Sequence, residues 1–182
     1  VDGIFENVQT MSDGTSLLGE YFDMPYGIDD AVVNSCSIWG FPEHGGYTTL
    51  KGFNVLRGIP QNDAAYSTQV FVQDGQWNDF DLGWIFSGDF ILAVQISTTI
   101  GIAIDIDTSP SQNSWVNNAG WQRWADVSSQ SDGLIDGEFG ITANVTTTGE
   151  GLSPQFNIYR SVNGNLFNLM ESGSNLDTNQ FE

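Results

Sequence analysis

Residues 139–146 alternate without a break. Phe139, Ile141, Ala143 and Val145 fall on one side of an extended chain, and Gly140, Thr142, Asn144 and Thr146 fall on the other. Period two is the signature of a strand with one face buried and one face in water. The pattern recurs between turn-forming clusters such as Asp13-Gly14, the stretch 26–30, the loop 42–46 and Asp74-Gly75. It predicts strands over 17–24, 31–39, 48–56, 66–73, 90–97, 101–107 and 138–146, with irregular aromatic strands within 115–124. Phe90, Leu92, Val94 and Ile96 share a face, as do Ile102, Ile104 and Ile106, and the short link 98–101 predicts that these two strands form a hairpin. No stretch repeats apolar residues at helical spacing over three turns. About eight short strands joined by Gly-rich turns describe an all-β, antiparallel, jelly-roll-like β-sandwich over residues 1–148.

Beyond it the composition changes. Residues 149–154 form a polar linker without core residues, and 155–182 begin a new unit. Within this unit Phe156, Ile158 and Val162 lead to the turn Asn163-Gly164-Asn165, and Phe167 and Leu169 follow. Strand, Asn-Gly turn, strand predicts an additional C-terminal β-hairpin over 155–172. A lone hairpin is marginal in water. The tail is expected to need a partner: the first domain, a neighbouring copy of the chain, or a downstream continuation. A chain opening at Val1 is expected to be a mature, excised or recombinant piece.

Four Lys and Arg stand against 23 Asp and Glu, a formal charge of −19. No basic stripe exists to neutralise phosphates, so nucleic acid is excluded as a partner, and so are anionic lipid surfaces. The acidity suits solvation in a salty medium, Ca²⁺ binding, or repulsion between copies. No apolar 18-residue run and no signal peptide is present, so no membrane insertion is expected. The single cysteine, Cys36, cannot form an internal disulfide and reads as a small buried apolar residue.

The same inventory restricts chemistry. A nucleophilic Ser or Cys site would have to use His44, the only histidine, and no Gly-x-Ser-x-Gly elbow accompanies it. Zinc has only His44 and Cys36 to draw on. Asp105 and Asp107, two apart on one strand face, are the best carboxylate pair for glycoside hydrolysis, but read as acids on a solvated face. No catalytic residue is therefore expected. Calcium makes better use of the acids, because hard cations want clustered oxygens on loops. Asp74, Asn78, Asp79 and Asp81 surround one Asp-Gly turn, and Asp132, Asp136 and Glu138 flank another glycine pair. Trp115, Trp121 and Trp124 crowd one segment together with Asn117 and Asn118, and aromatic rings beside amides suit the faces and hydroxyls of a sugar. Asn144-Val145-Thr146 matches a glycosylation sequon.

The tail Phe156-Asn157-Ile158-Tyr159-Arg160-Ser161-Val162-Asn163-Gly164, with Phe167-Asn168-Leu169 after it, resembles the opening of fibronectin type III-like repeats of secreted bacterial proteins. Residues 50–56, 69–75, 87–94, the Gly120-Trp121 step and 138–145 resemble the jelly-roll, galactose-binding-like module that often precedes such repeats. The resemblance implies a non-catalytic adhesion or accessory module of a larger secreted or cell-surface protein, holding a glycan or a surface protein. It supplies no catalytic or ligand residue. Two other functions compete with it, a self-assembling subunit of a surface layer or filament and a carbohydrate-active enzyme.

Overall fold

The computed structural model describes residues 7–10, 14–25, 28, 30–106, 113–131, 134–148, 156–162 and 166–173. Two antiparallel sheets pack face to face as a β-sandwich. The first sheet contains β2 (Leu17–Phe22), β4 (Gly46–Leu56), β5 (Ile59–Pro60), β6 (Tyr66–Val72), β8 (Phe90–Gln95), β10 (Ser114–Asn117) and β11 (Trp121–Arg123). Its order is β11-β10-β2-β8-β4, with β5 and β6 both paired to β4. The second contains β1 (Asn7–Gln9), β3 (Asp30–Gly40), β7 (Gln76–Phe86), β9 (Ile102–Asp105), β12 (Glu138–Phe139) and β13 (Ile141–Thr148). There β3 lies against β7 and β13, while β9 holds β1 and β12. One helical turn, α1 (Trp124–Ser129), follows β11. No helix among the described residues is long and apolar enough to cross a membrane.

Alternation places the core. Leu18, Leu50, Val70, Val72, Phe90, Leu92 and Val94 of the first sheet meet Val33, Cys36, Ile38, Trp84, Phe86, Ile102, Ile104 and Phe139 of the second. Each such burial is worth about 1.5–3 kcal/mol. Gly52 lets the sheets approach, since a Cβ there would lie 2.6 Å from the Phe86 ring. Cys36 is fully buried as expected, and burial, with Asp79 nearby, pushes its thiol up to about 12. The native chain is therefore expected to resist thiol reagents at pH 8 and to react after denaturation; labelling of the folded protein at an unfolded-chain rate would contradict this.

The predicted hairpin of residues 90–97 with 101–107 does not form. The first of these strands lies between β2 and β4, so both its edges are taken, and the second crosses to the other sheet. The turn in which Ser97 N–H donates to the Ile100 carbonyl redirects the chain. The continuous run Phe90-Ile91-Leu92-Ala93-Val94 is buried on both faces, because Ile91 and Ala93 enter a second, smaller cluster with Leu17 and Phe53.

β7 is an additional long strand that alternation alone missed. Its even-numbered residues Asn78, Phe80, Leu82, Trp84 and Phe86 turn toward the core throughout, while Leu82-Gly83, with Gly83 at φ +67°, bulges against β3 and shifts the register. Among the described residues β7 pairs with β3 alone. Its outer edge is met by Tyr66, which stacks on Trp84. The Tyr66 hydroxyl donates to the Ile85 carbonyl at 2.9 Å and accepts the Ile85 N–H at 3.3 Å.

The expected C-terminal hairpin is present: β14 (Phe156–Val162) pairs antiparallel with β15 (Leu166–Gly173), with a register shift between Ile158 and Tyr159. The linker 149–154 and the residues after 173 lie outside the described residues.

Candidate functional site

Strand alternation carries two of the three singled-out tryptophans out of the main core. In β10, Ser114 and Val116 face inward, so Trp115 and Asn117 face outward. Trp115 lies opposite Arg123 and Asn117 opposite Trp121, which puts all four on one face of the β10–β11 hairpin. In a flat sheet Trp121 on β11 would stand ~19 Å from Phe53 on β4, four strands away. Their ring centroids are instead 5.0 Å apart, edge to face, so the sheet curls strongly. The Trp121 indole N–H donates to the Gln61 carbonyl and fixes the ring over the smaller cluster.

Two open clefts flank this hairpin. The larger, about 690 Å³, is lined by Trp115, Trp121, Gln122 and Arg123 on one side and by Asp126, Val127, Gln130 and Ser131 on the other. The smaller, about 290 Å³, lies among Tyr21, Asp23, Gly58, Asn113, Trp115 and Arg123. Trp115 and Arg123 therefore form the wall between them. Tyr21 stacks on Trp115 with centroids 6.4 Å apart, and the Arg123 guanidinium carbon lies 5.6 Å from the Trp115 ring centroid. The Tyr21 hydroxyl donates to Asp89, whose other oxygen accepts the Met24 N–H. Burial, then this bond and the charge of Asp89, raise the Tyr21 hydroxyl well above its usual range. It remains a neutral donor that braces one side of the wall.

Trp124 corrects the expectation of three ligand-facing tryptophans. It is fully buried, tilted against Phe139, and its indole N–H donates to the Ile135 carbonyl. Helix α1 turns this ring under the fold immediately after Trp121 and Arg123 have faced out. The amides are also displaced from the clefts. Asn117 Oδ1 accepts the Gly120 N–H and closes the β10–β11 turn, and Asn118 is exposed in that turn. Gln122 and Gln130 supply the amides that Asn117 and Asn118 were expected to supply.

The calcium candidates do not converge. A strand, not a loop, contains Asn78, Asp79 and Asp81, and strand geometry sends neighbours to opposite faces. Asn78 is spent on the β6–β7 turn: its oxygen accepts the Gln73 N–H, and its amide donates to the Gln73 and Gln76 carbonyls. Asp79 accepts the Ser37 hydroxyl, Asp74 accepts the Glu43 N–H at the turn, and Asp81 stands exposed on the strand. Asp136 is half-buried, Glu138 is buried, and Asp132 lies outside the described residues. Among the described residues no three His, Cys, Asp or Glu side chains gather as a metal cage. Asp105, expected on a solvated face, is buried beside Glu138 across β9 and β12, and Asp107 lies outside the described residues.

One buried polar cluster escaped the sequence reading. Glu20 shares the inward face of β2 with Leu18 and reaches across the sandwich to accept the Phe139 N–H at 2.7 Å. Ser114 bridges Glu20 and Glu138, and the Asn113 N–H donates to Glu138. Burial, then the neighbouring charge of Glu138, hold the Glu20 carboxyl well above the ordinary carboxylate range. A carboxyl at a core position, flanked by Leu18 and Phe22 two residues either way, was the available signal.

Comparison of the chain with protein-family models, with curated proteins and with solved structures finds no match.

Proposed function

We propose that the chain is a non-catalytic, extracellular binding module that holds a glycan against Trp115 and Trp121. The observation that carries this reading is the position of these two rings. They are outside the main core, fixed by Phe53, Tyr21 and Gln61, and beside the polar groups of Gln122, Asp126, Gln130 and Ser131. Apolar ring faces beside several hydrogen-bonding side chains match a sugar, which offers C–H faces and a rim of hydroxyls. The resemblance of residues 1–148 to a galactose-binding-like jelly roll, and of 155–182 to the start of a fibronectin type III-like repeat, points the same way. It implies a place in a larger secreted bacterial protein.

A glycan array followed by calorimetry tests this. Retention on one or more polysaccharides is expected, and Trp121→Ala and Trp115→Ala should each weaken binding about tenfold, the scale of one aromatic contact. Melting curves of both variants separate lost binding from lost folding. Failure to bind any glycan, or unchanged binding by the folded double variant, would defeat the proposal.

A further inference from the structure

Resting on that glycan reading, we propose that the ligand carries a carboxylate, as a uronic or sialic acid does, and that Arg123 receives it. Arg123 is one of four Lys and Arg residues in a chain with 23 acids. On such a surface a cation has acids to pair with, yet among the described residues the Arg123 guanidinium makes no hydrogen bond or ion pair. It lies against the Trp115 ring, and its charge also acts on the Tyr21 hydroxyl. That contact steadies the head group and leaves the planar fork of N–H donors unspent. Arg123 is exposed, and it lines both clefts, so a group bound there can be reached by sugar rings on either side.

The surrounding charges sharpen the choice. Asp126 lines the larger cleft and Asp23 the smaller, with Asp89 behind Tyr21. These acids accept hydroxyl hydrogens from a sugar and repel an anion placed anywhere but over the guanidinium. A densely sulfated chain is disfavoured by the net charge of −19. A single planar carboxylate fits the guanidinium fork through two parallel N–H···O bonds. The site thus selects an isolated acid group on an otherwise hydroxyl-rich ligand.

The test compares uronic-acid oligosaccharides with their carboxyl-reduced, neutral counterparts of equal length, alongside a glutamate tripeptide, on the full chain. The wild type is expected to bind the acidic sugar at least tenfold more tightly than the neutral one, and more tightly than the peptide. Arg123→Met keeps much of the stem over Trp115 and should erase the preference, so that the acidic and the neutral sugar bind this variant alike. Arg123→Lys keeps the charge without the fork and should restore only part of it. Equal binding of acidic and neutral sugars overturns this inference and leaves the glycan reading intact. Equal or tighter binding of the peptide overturns it in favour of a protein ligand. Binding of no glycan at all removes both.

Discussion

Trp124→Ala is expected to lower folding stability by about 3–5 kcal/mol, the range for emptying a fully buried large aromatic site. The ring is fully buried against Phe139, and its N–H satisfies the Ile135 carbonyl. Alanine would leave a cavity and also strip that carbonyl of its donor. Because α1 has only six residues, it contributes little through its own hydrogen bonds and depends on this anchor. Urea denaturation should show a lower midpoint at unchanged slope, whereas Trp121→Ala, at a half-buried ring on the smaller cluster, should cost less. A Trp124→Ala chain as stable as the wild type would remove Trp124 from the core and return it to the candidate site.

The second large effect depends on pH. Glu20 holds its proton in the fold above the range where the unfolded chain releases it. Its contribution to stability is therefore fully present below the unfolded carboxyl range and is lost as pH rises through the folded value. Glutamine keeps the shape, accepts the Phe139 N–H and the Ser114 hydroxyl, and donates toward Glu138 without a proton to lose. Glu20→Gln should match the wild type near pH 4 and exceed it at pH 8 by about 1–3 kcal/mol, the cost of an uncompensated buried group. In a domain of this size that is roughly 2–4 °C in Tm for each kcal/mol. Glu20→Leu removes the acceptor of Phe139 and should be less stable than Glu20→Gln at every pH. Thermal melts across pH 4–8 in which Glu20→Gln tracks the wild type would show that Glu20 ionises freely in the fold.

Much of the fold was legible because alternation and burial are the same fact seen twice. The strands near 17–24, 31–39, 48–56 and 66–73 follow from it, the expected strand 138–146 is divided at Gly140 into β12 on β9 and β13 on β3, and the C-terminal hairpin was legible from an Asn-Gly turn between apolar runs. The errors have physical causes. Residues 90–97 and 101–107 look like a hairpin because local pattern reports a buried face but not which neighbours have already taken a strand's edges. β7 was hidden because polar Asn78 takes an inward position while apolar Trp77 and Ile85 face outward, and its acids read as a metal-binding loop until the pairing with β3 fixed them on a strand. At the site, composition found the aromatic segment but could not assign its rings. The outward faces of Trp115 and Trp121 follow from the β10–β11 register, and the inward turn of Trp124 follows from a helix too short to carry a period. Arg123 drew no attention in the sequence because its significance lies in its place over the Trp115 ring between two clefts, a position that exists only in three dimensions.

The Tyr66 hydroxyl at Ile85 bears on how this molecule could polymerise. A filament grown by strand addition needs an edge whose donors and acceptors are open in register, so that an arriving chain can zip along it. On β7 one hydroxyl already occupies both backbone groups of Ile85, and the Gly83 bulge two residues earlier breaks the spacing that a newcomer would have to match. An incoming strand would first have to displace a tyrosine stacked on Trp84, losing a formed contact before it gained the next. The edge of β7 around Ile85 is thus closed to templated growth.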